Sequence, residues 1–304
     1  MRAVVTGATG FLGKWLVNEL LENSIEVTVL IRNIEKVPSD WDKRVNIILC
    51  TLEDMGSIKS NTVSMEPIDM FFHFAWAGTS GEEREDVSLQ LANIGYTCDA
   101  VKLAVKLGCK KFIFAGSIMQ YEAMRYMSSD GCKPRLENIY STAKLAADLL
   151  AKTVAVSLGL PYINILISNI YGAGEKSARF INTTLAKMMN NEAIPLTHCN
   201  QLYDFIYVED AVKAMCMAGL KGKPYETYYI GNPEQKPLKE FVYIMKRTVG
   251  SLSRIELGKA PMSGTLLTYD EFDTDKINRD FGFTPKICFE QGLELTKRWI
   301  LDHK

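Results

Sequence analysis

The sequence predicts an α/β fold, a doubly wound parallel sheet with a smaller C-terminal α+β lobe, and three observations carry that prediction. Short β-branched runs alternate with longer helical patterns from residue 1 to about residue 170. A glycine-rich turn joins the first run to the first helical segment. After Tyr171 the alternation breaks into helices with a single further strand.

In order, strands are predicted at Arg2 to Thr6, Glu26 to Ile31, Val45 to Cys50, Met70 to Phe74, Lys111 to Ala115 and Tyr162 to Ile167. Helices fall near Leu12 to Glu22, Asp86 to Leu107 and Tyr140 to Leu158, each with apolar residues at helical spacing. The C-terminal part shows helices at Phe180 to Asn190, Val208 to Leu220, Leu238 to Val249 and Phe289 to Leu301, and a strand at Thr227 to Ile230. Loops at Gly172 to Gly174, Gly222 to Pro224 and Gly258 to Gly264 separate its elements, with no low-complexity linker or internal repeat.

The chain has 304 residues, 47% of them hydrophobic, enough apolar material for a full core. Its 35 basic and 36 acidic side chains nearly cancel, which excludes the broad positive field that nucleic acid or an anionic membrane requires. A small-molecule ligand is the default. Seven scattered cysteines without a C-x-x-C pair argue against a disulfide framework and a zinc site, and three distant histidines add no metal cluster. No apolar run approaches the roughly 18 residues of a membrane helix, and the N terminus enters a strand without an export signal. A cytoplasmic setting is the expectation.

Val4-Val5-Thr6-Gly7-Ala8-Thr9-Gly10-Phe11-Leu12-Gly13 follows a strand and opens a helix, the context in which a glycine fingerprint carries meaning. Gly7 permits the sharp turn, Gly10 lets the backbone approach a pyrophosphate, and Gly13 lets helix and strand pack closely. Free amides at the helix start meet the phosphate charge, with Thr9, Phe11 and Leu12 among the contacts. Residues 1–170, with parts of 201–232, are therefore read as a dinucleotide-binding domain of Rossmann type, and 171–304 mainly as a substrate-binding lobe. Where an acidic residue would bond the ribose 2′-hydroxyl of NAD, the chain has Ile31-Arg32-Asn33. An arginine suits a 2′-phosphate, so NADP(H) is favoured; NAD(H) is the alternative, with Arg32 a solvated strand-end charge.

Tyr140-Ser141-Thr142-Ala143-Lys144 sets a phenol and an ammonium about one turn apart on one helical face. A cation a few ångströms away lowers a phenol's pKa from about 10 by roughly one to three units, nearer the pH of proton transfer. Tyr140 is thus the candidate general acid or base. A lone Y-x-x-x-K is common by chance, but this one follows Phe112-Ile113-Phe114-Ala115-Gly116-Ser117. That run puts Ser117 at a strand's carboxyl end, where open parallel sheets hold ligands and a hydroxyl can hold the reacting oxygen.

With these residues the chain resembles, nearly end to end, the extended short-chain dehydrogenase/reductase family, in particular its nucleotide-sugar epimerases, dehydratases and reductases. The resemblance includes His73-Phe74-Ala75-Trp76-Ala77, Asn93-Ile94-Gly95, Asn169-Ile170-Tyr171-Gly172, Asp204-Phe205-Ile206-Tyr207-Val208-Glu209-Asp210, Tyr229-Ile230-Gly231 and Asp273-Thr274-Asp275-Lys276. It implies hydride transfer between a nicotinamide and a sugar carbon, usually C4, with Ser117 and Tyr140 handling the oxygen and Lys144 also holding the nicotinamide ribose. Cofactor contacts are expected from Asn33, Thr51, Leu52, Phe74, Ala75, Trp76 and Asn93. Asn169 matches a position that contacts the nucleotide's phosphates, and Phe180 one that covers the base. Trp76, Thr79 and Ser80 are candidate sugar contacts, Trp76 being equally placed to pack beneath its loop.

The departures from the family pattern matter as much. Thr51 stands where an aspartate near the adenine is common, Tyr203 replaces the arginine of an R-D-F motif that pairs with the diphosphate, and Leu166 replaces another arginine. Tyr203 is kept as a candidate substrate contact, and Arg179 or Lys176 either supplies the missing charge or is a solvated loop residue. Ser117-Ile118-Met119-Gln120-Tyr121 lacks the Asp-Glu pair of the 4,6-dehydratases, which sets dehydration aside. Reductases consume NADPH whereas epimerases retain NAD, so Arg32 tilts the reading to a 4-keto-sugar-nucleotide reductase, with a 4-epimerase as alternative. A non-catalytic NADP-binding regulator is the third class, opposed by Tyr140 and Lys144. The helices at 86–107 and 140–158 correspond to those of a four-helix homodimer contact in similar proteins, Leu91, Val101, Leu149 and Val156 serving that contact or the cover of the sheet.

Overall fold

The structure, a computed structural model, describes residues 1–41, 43–59, 66–128, 130, 133–261 and 267–303. Cys132 and Gly264, the end of the third predicted loop, lie outside the described residues. The chain divides into two compact units, Met1–Ile167 with Val212–Tyr229, and Ser168–Ala211 with Ile230–Lys304.

The first unit is built on β1 (Arg2–Thr6), β2 (Glu26–Ile31), β3 (Val45–Leu49), β4 (Met70–His73), β5 (Phe112–Ser117) and β6 (Tyr162–Ile167). They lie in the order β3-β2-β1-β4-β5-β6, with Thr227–Ile230 beyond β6 at the other edge. Pairing is parallel, Val5 standing opposite Val29 on one side and Phe72 on the other. β1, β4 and β5 are covered on both faces, and their sequences accordingly run apolar without alternation. The chain winds outward from β1 in both directions, so the crevice at the carboxyl ends of β1 and β4 is where such a sheet holds a ligand.

The helices of this unit are α1 (Phe11–Glu22), α2 (Val87–Lys106), α3 (Met119–Ser128) and α4 (Asn138–Ser157). α1 buries Gly13, Leu16, Val17 and Leu20, one helical stripe. α2 starts at Asp86, whose carboxylate accepts the Leu89 amide at 2.9 Å. α4 buries Ala147, Ala151 and Ala155 in the same core as Ala100 and Ala104 of α2, small side chains that let the two helices approach closely. Val101 is buried in that core too, so it covers the sheet and presents nothing to a partner; Leu91, Leu149 and Val156 are exposed.

α3 is absent from the sequence prediction. β5 runs two residues past its predicted end, to Ser117, and the chain turns at once into this helix. The Met119 amide donates to Ser117 Oγ at 3.2 Å and the Ser117 amide donates to Gln120 Oε1 at 2.9 Å, the reciprocal pattern of a capping box. Ser-x-x-Gln was the available signal. β3 and β4 each end one residue earlier than predicted.

In the second unit Ile170–Tyr171 pairs parallel with Ile206–Tyr207, Ile194–Pro195 pairs parallel with Ile255–Glu256, and Leu202–Tyr203 pairs antiparallel with Lys236–Pro237. Its helices Leu238–Val249 and Phe289–Asp302 close on an aromatic core in which Phe241 lies 4.9 Å from Phe205 and 4.8 Å from Phe289, ring centre to ring centre. No helix among the described residues is long and apolar enough to cross a membrane.

Candidate active site

The glycine turn has little room for side chains. Gly7 leaves β1 with φ 69°, in the left-handed region, and a Cβ there would stand 2.6 Å from the Ala75 nitrogen. A Cβ on Gly13 would stand 2.1 Å from the Gly7 carbonyl oxygen. At the start of α1 the N-cap is Gly10, and no side chain caps the helix, which leaves first-turn amides to an anion. A bare-backbone cradle at an uncapped helix start fits the pyrophosphate of a dinucleotide.

Thr6 knits this turn to the end of β4. Its Oγ accepts the Phe74 and Ala75 amides, both at 3.2 Å, and lies 2.9 Å from His73 Nδ1. With two amides donating to it, the hydroxyl donates to Nδ1, and the imidazole proton sits on Nε2. Burial, with the Lys144 charge adding, pushes His73 down to about 3, so the ring is neutral.

At the other end of the crevice Arg32 is exposed just past β2. Asn33 caps the following turn by accepting the Glu35 amide at 2.8 Å. Thr51 donates to Asp54 at 2.8 Å, and Leu52 packs on the core. Glu53 is held below the ordinary carboxylate range by backbone and Thr51 hydrogen bonds, the Arg32 charge adding to them.

α4 turns the face that carries Tyr140 and Lys144 inward, burying both. Lys144 Nζ donates to the Ala115 carbonyl at 2.9 Å and sits 3.7 Å from the Trp76 ring centre. Tyr140 meets Trp76 edge-on, with ring centres 6.1 Å apart. Burial lowers the Lys144 ammonium to about 7, against the opposing pull of the Asp148 carboxylate. Ala115 is two residues before Ser117 on β5, so the lysine is tied to the strand that ends in the predicted hydroxyl. Ser117 Oγ accepts the Met119 amide, which leaves its own O–H to donate.

Asp148 lies one turn beyond Lys144 and was not singled out from the sequence, although Y-x-x-x-K-x-x-x-D places it on the same face. It accepts from Gln120 Nε2 at 2.9 Å, Tyr162 Oη at 2.9 Å and Asn164 Nδ2 at 2.8 Å. Burial raises its carboxyl despite these bonds. Gln120 links it to the Ser117 amide. Glu122, just past the carboxylate-free run Ile118 to Tyr121, is also buried on α3.

Of the residues after β4, Phe74, Ala75 and Trp76 are half-buried and Thr79 and Ser80 exposed. Trp76 donates its indole N–H to Gln90 at 2.9 Å. Asn93 commits its amide to Ala77, accepting that residue's N–H and donating to its carbonyl, both at 2.9 Å, so it shapes the loop from beneath.

In the second unit Asn169, Phe180 and Tyr203 gather around one dipeptide, Asp204-Phe205. Asn169 Nδ2 donates to Asp204 at 3.1 Å, and the Phe180 and Tyr203 rings stack on Phe205 at 6.4 and 5.7 Å. Asp204 is fully buried and also accepts from Ser168, Tyr269 and the Asn232 amide. Arg179 pairs with Glu175 at 3.6 Å, which reduces its value as a replacement for the missing arginine.

The chain is 25% identical to the CDP-abequose synthase of Salmonella muenchen over 303 residues, 96% of each chain. It is 23% identical to the dTDP-glucose 4,6-dehydratase of Neisseria meningitidis over 346 residues, covering 100% of this chain and 94% of that one. Among solved structures, the UDP-glucose 4-epimerase of Thermotoga maritima superposes with a TM-score of 0.78 at 21% identity, covering 100% of this chain and 99% of that one, a likeness of fold. The crevice with its glycine cradle, the Lys144-bearing helix and the end of β5 all lie within residues 3–231, the stretch that matches the NAD dependent epimerase/dehydratase family, and the chain belongs to that family of enzymes.

Proposed function

We propose that the chain reduces the C4 keto group of a nucleotide-linked sugar with NADPH, Tyr140 acting as general acid. The observation that carries this reading is the buried Tyr140 and Lys144 pair on α4, with Lys144 bonded to β5 two residues before Ser117. The bound nicotinamide supplies the hydride. Tyr140 passes its phenolic proton to the carbonyl oxygen, and Ser117 donates its O–H to the same oxygen. Lys144 spends one N–H on Ala115 and keeps two for the nicotinamide ribose, while its charge stabilises the phenolate left behind. Gly7, Gly10 and Gly13, with Thr9, Phe11 and Leu12, hold the pyrophosphate; Thr51 and Leu52 border the adenine; Arg32 and Asn33 take the 2′-phosphate. Asn169, Phe180 and Tyr203 serve the substrate's nucleotide. The protein works in the cytoplasm as a homodimer across α2 and α4.

A 4-epimerase with tightly held NAD is the second reading, favoured by Glu53, whose carboxylate shares Arg32's surroundings and offsets its charge. The two separate on stoichiometry. Incubated with a nucleotide-linked 4-keto-6-deoxy sugar, the protein should consume one reduced cofactor per product and use NADPH in preference to NADH. Interconversion of 4-hydroxyl epimers without net cofactor use, or a preference for NADH, would overturn the reductase reading. Tyr140→Phe should cut turnover by roughly a hundred- to ten-thousandfold and leave cofactor affinity within a few-fold. Unchanged turnover would remove Tyr140 as the acid.

A further inference from the structure

Within the segment between β4 and α2, Trp76, Gly78 and Glu83 are tied together by the buried side chain of Gln90. Gln90 donates through Nε2 to the carbonyls of Gly78 at 2.8 Å and Glu83 at 3.0 Å, while its Oε1 accepts the Trp76 indole. This pins the single 3₁₀ turn Gly81–Arg84. The turn delivers the Arg84 guanidinium over the ring of Tyr140, its Cζ 4.2 Å from the ring centre. Arg84 Nε is buried without a hydrogen-bond partner in the structure. The folding of the turn is already accounted for by Gln90 and by the Glu85 amide, which donates to Glu82 at 2.9 Å. An Arg84 Nε buried without a partner, beside the ring of the candidate acid, is therefore not explained by the local fold.

We propose that Arg84 is a positioning residue for Tyr140, holding the phenol ring by cation–π stacking and stabilising its ionised form. The inference rests on the reading of Tyr140 as the acid. A cation centred over the ring lies roughly 5 Å from the phenol oxygen, within the range where an opposite charge lowers an acid's pKa by about one to three units. Arg84 also differs from Lys144 in kind. Burial lowers Lys144 toward the neutral range, whereas a guanidinium stays charged throughout. Arg84 then sets over the phenol a cation that does not titrate, while Lys144 titrates. Other titratable groups on the packed elements, among them Lys144 and Asp148 on α4, His73 on β4, Cys98 on α2, Tyr162 on β6 and Tyr121, Glu122 and Arg125 on α3, keep their identity in an Arg84 variant, so the comparison isolates the loss of Arg84.

The test is a pH titration of the ligand-free protein labelled with ¹³C at tyrosine Cζ, followed by NMR, with the Tyr140 signal identified by its loss in Tyr140→Phe. Arg84→Met should raise the Tyr140 midpoint by about one unit, and Arg84→Lys, which keeps a cation, should restore most of that shift. An equal midpoint in wild type and Arg84→Met overturns the proposal, as does a Tyr140 that stays un-ionised in the wild type up to the unfolding pH. Turnover surviving in Tyr140→Phe would remove the acid assignment while leaving the titration result standing, so the two failures are separable.

Discussion

Taking an ammonium out of water is costly unless other groups replace the water, and Lys144 has one carbonyl, the aromatic faces of Trp76 and Phe114 and a carboxylate a turn away. Its value of about 7 in the fold lies below the 10.5 of an ordinary lysine. Between these limits the unfolded chain binds more protons than the folded one, so stability rises with pH across the window, and the full penalty is felt below it. The urea midpoint of the ligand-free protein should therefore increase from pH 7 to pH 9, and Lys144→Met should flatten that increase. A wild-type midpoint that falls over this range would show that the ammonium is better compensated than its surroundings indicate. The spacing of Tyr140 and Lys144 was legible in the sequence because helical pitch alone sets it. Asp148 shares the spacing, but only the hydrogen bonds it accepts from Gln120, Tyr162 and Asn164 distinguish it from a surface carboxylate.

Among the elements, β1, the glycine turn and α1 form one unit in which backbone meets backbone. Gly13→Ala would drive a Cβ against the Gly7 carbonyl, 2.1 Å away, with no flexible side chain to yield. It should lower stability by about 1–3 kcal/mol, read from the denaturant midpoint, and weaken cofactor binding together with it. A midpoint equal to wild type would mean that α1 can shift away from the turn. The strands of the sheet were readable because burial on both faces leaves continuous apolar runs. α3 was not, because the face it buries carries the polar Gln120 and Glu122 beside Ala123, and the helix follows β5 without a breaker. The 3₁₀ turn that carries Arg84 left no periodic trace either, since Gln90 on another element holds it.

For the molecule as a whole, the homodimer reading gains support from apolar side chains left exposed on α2 and α4: Leu91 at 60%, Leu149 at 58% and Val156 at 53%. Light scattering at micromolar concentration should give twice the chain mass, and Leu91→Glu with Leu149→Glu should reduce it to the mass of one chain. A monomeric wild type would reject the dimer. The sequence by itself determined the doubly wound plan, the glycine cradle and the phenol–ammonium pair, because strand period, turn chemistry and helix pitch act over a few neighbouring residues. Only the tertiary structure decided what those residues experience. Thr6 reaches His73 across 67 positions, Asp148 draws Gln120 and Tyr162 together from different elements, and Arg84 comes to lie over Tyr140. Such contacts depend on how distant segments exclude water around a charge, and no local spacing records that.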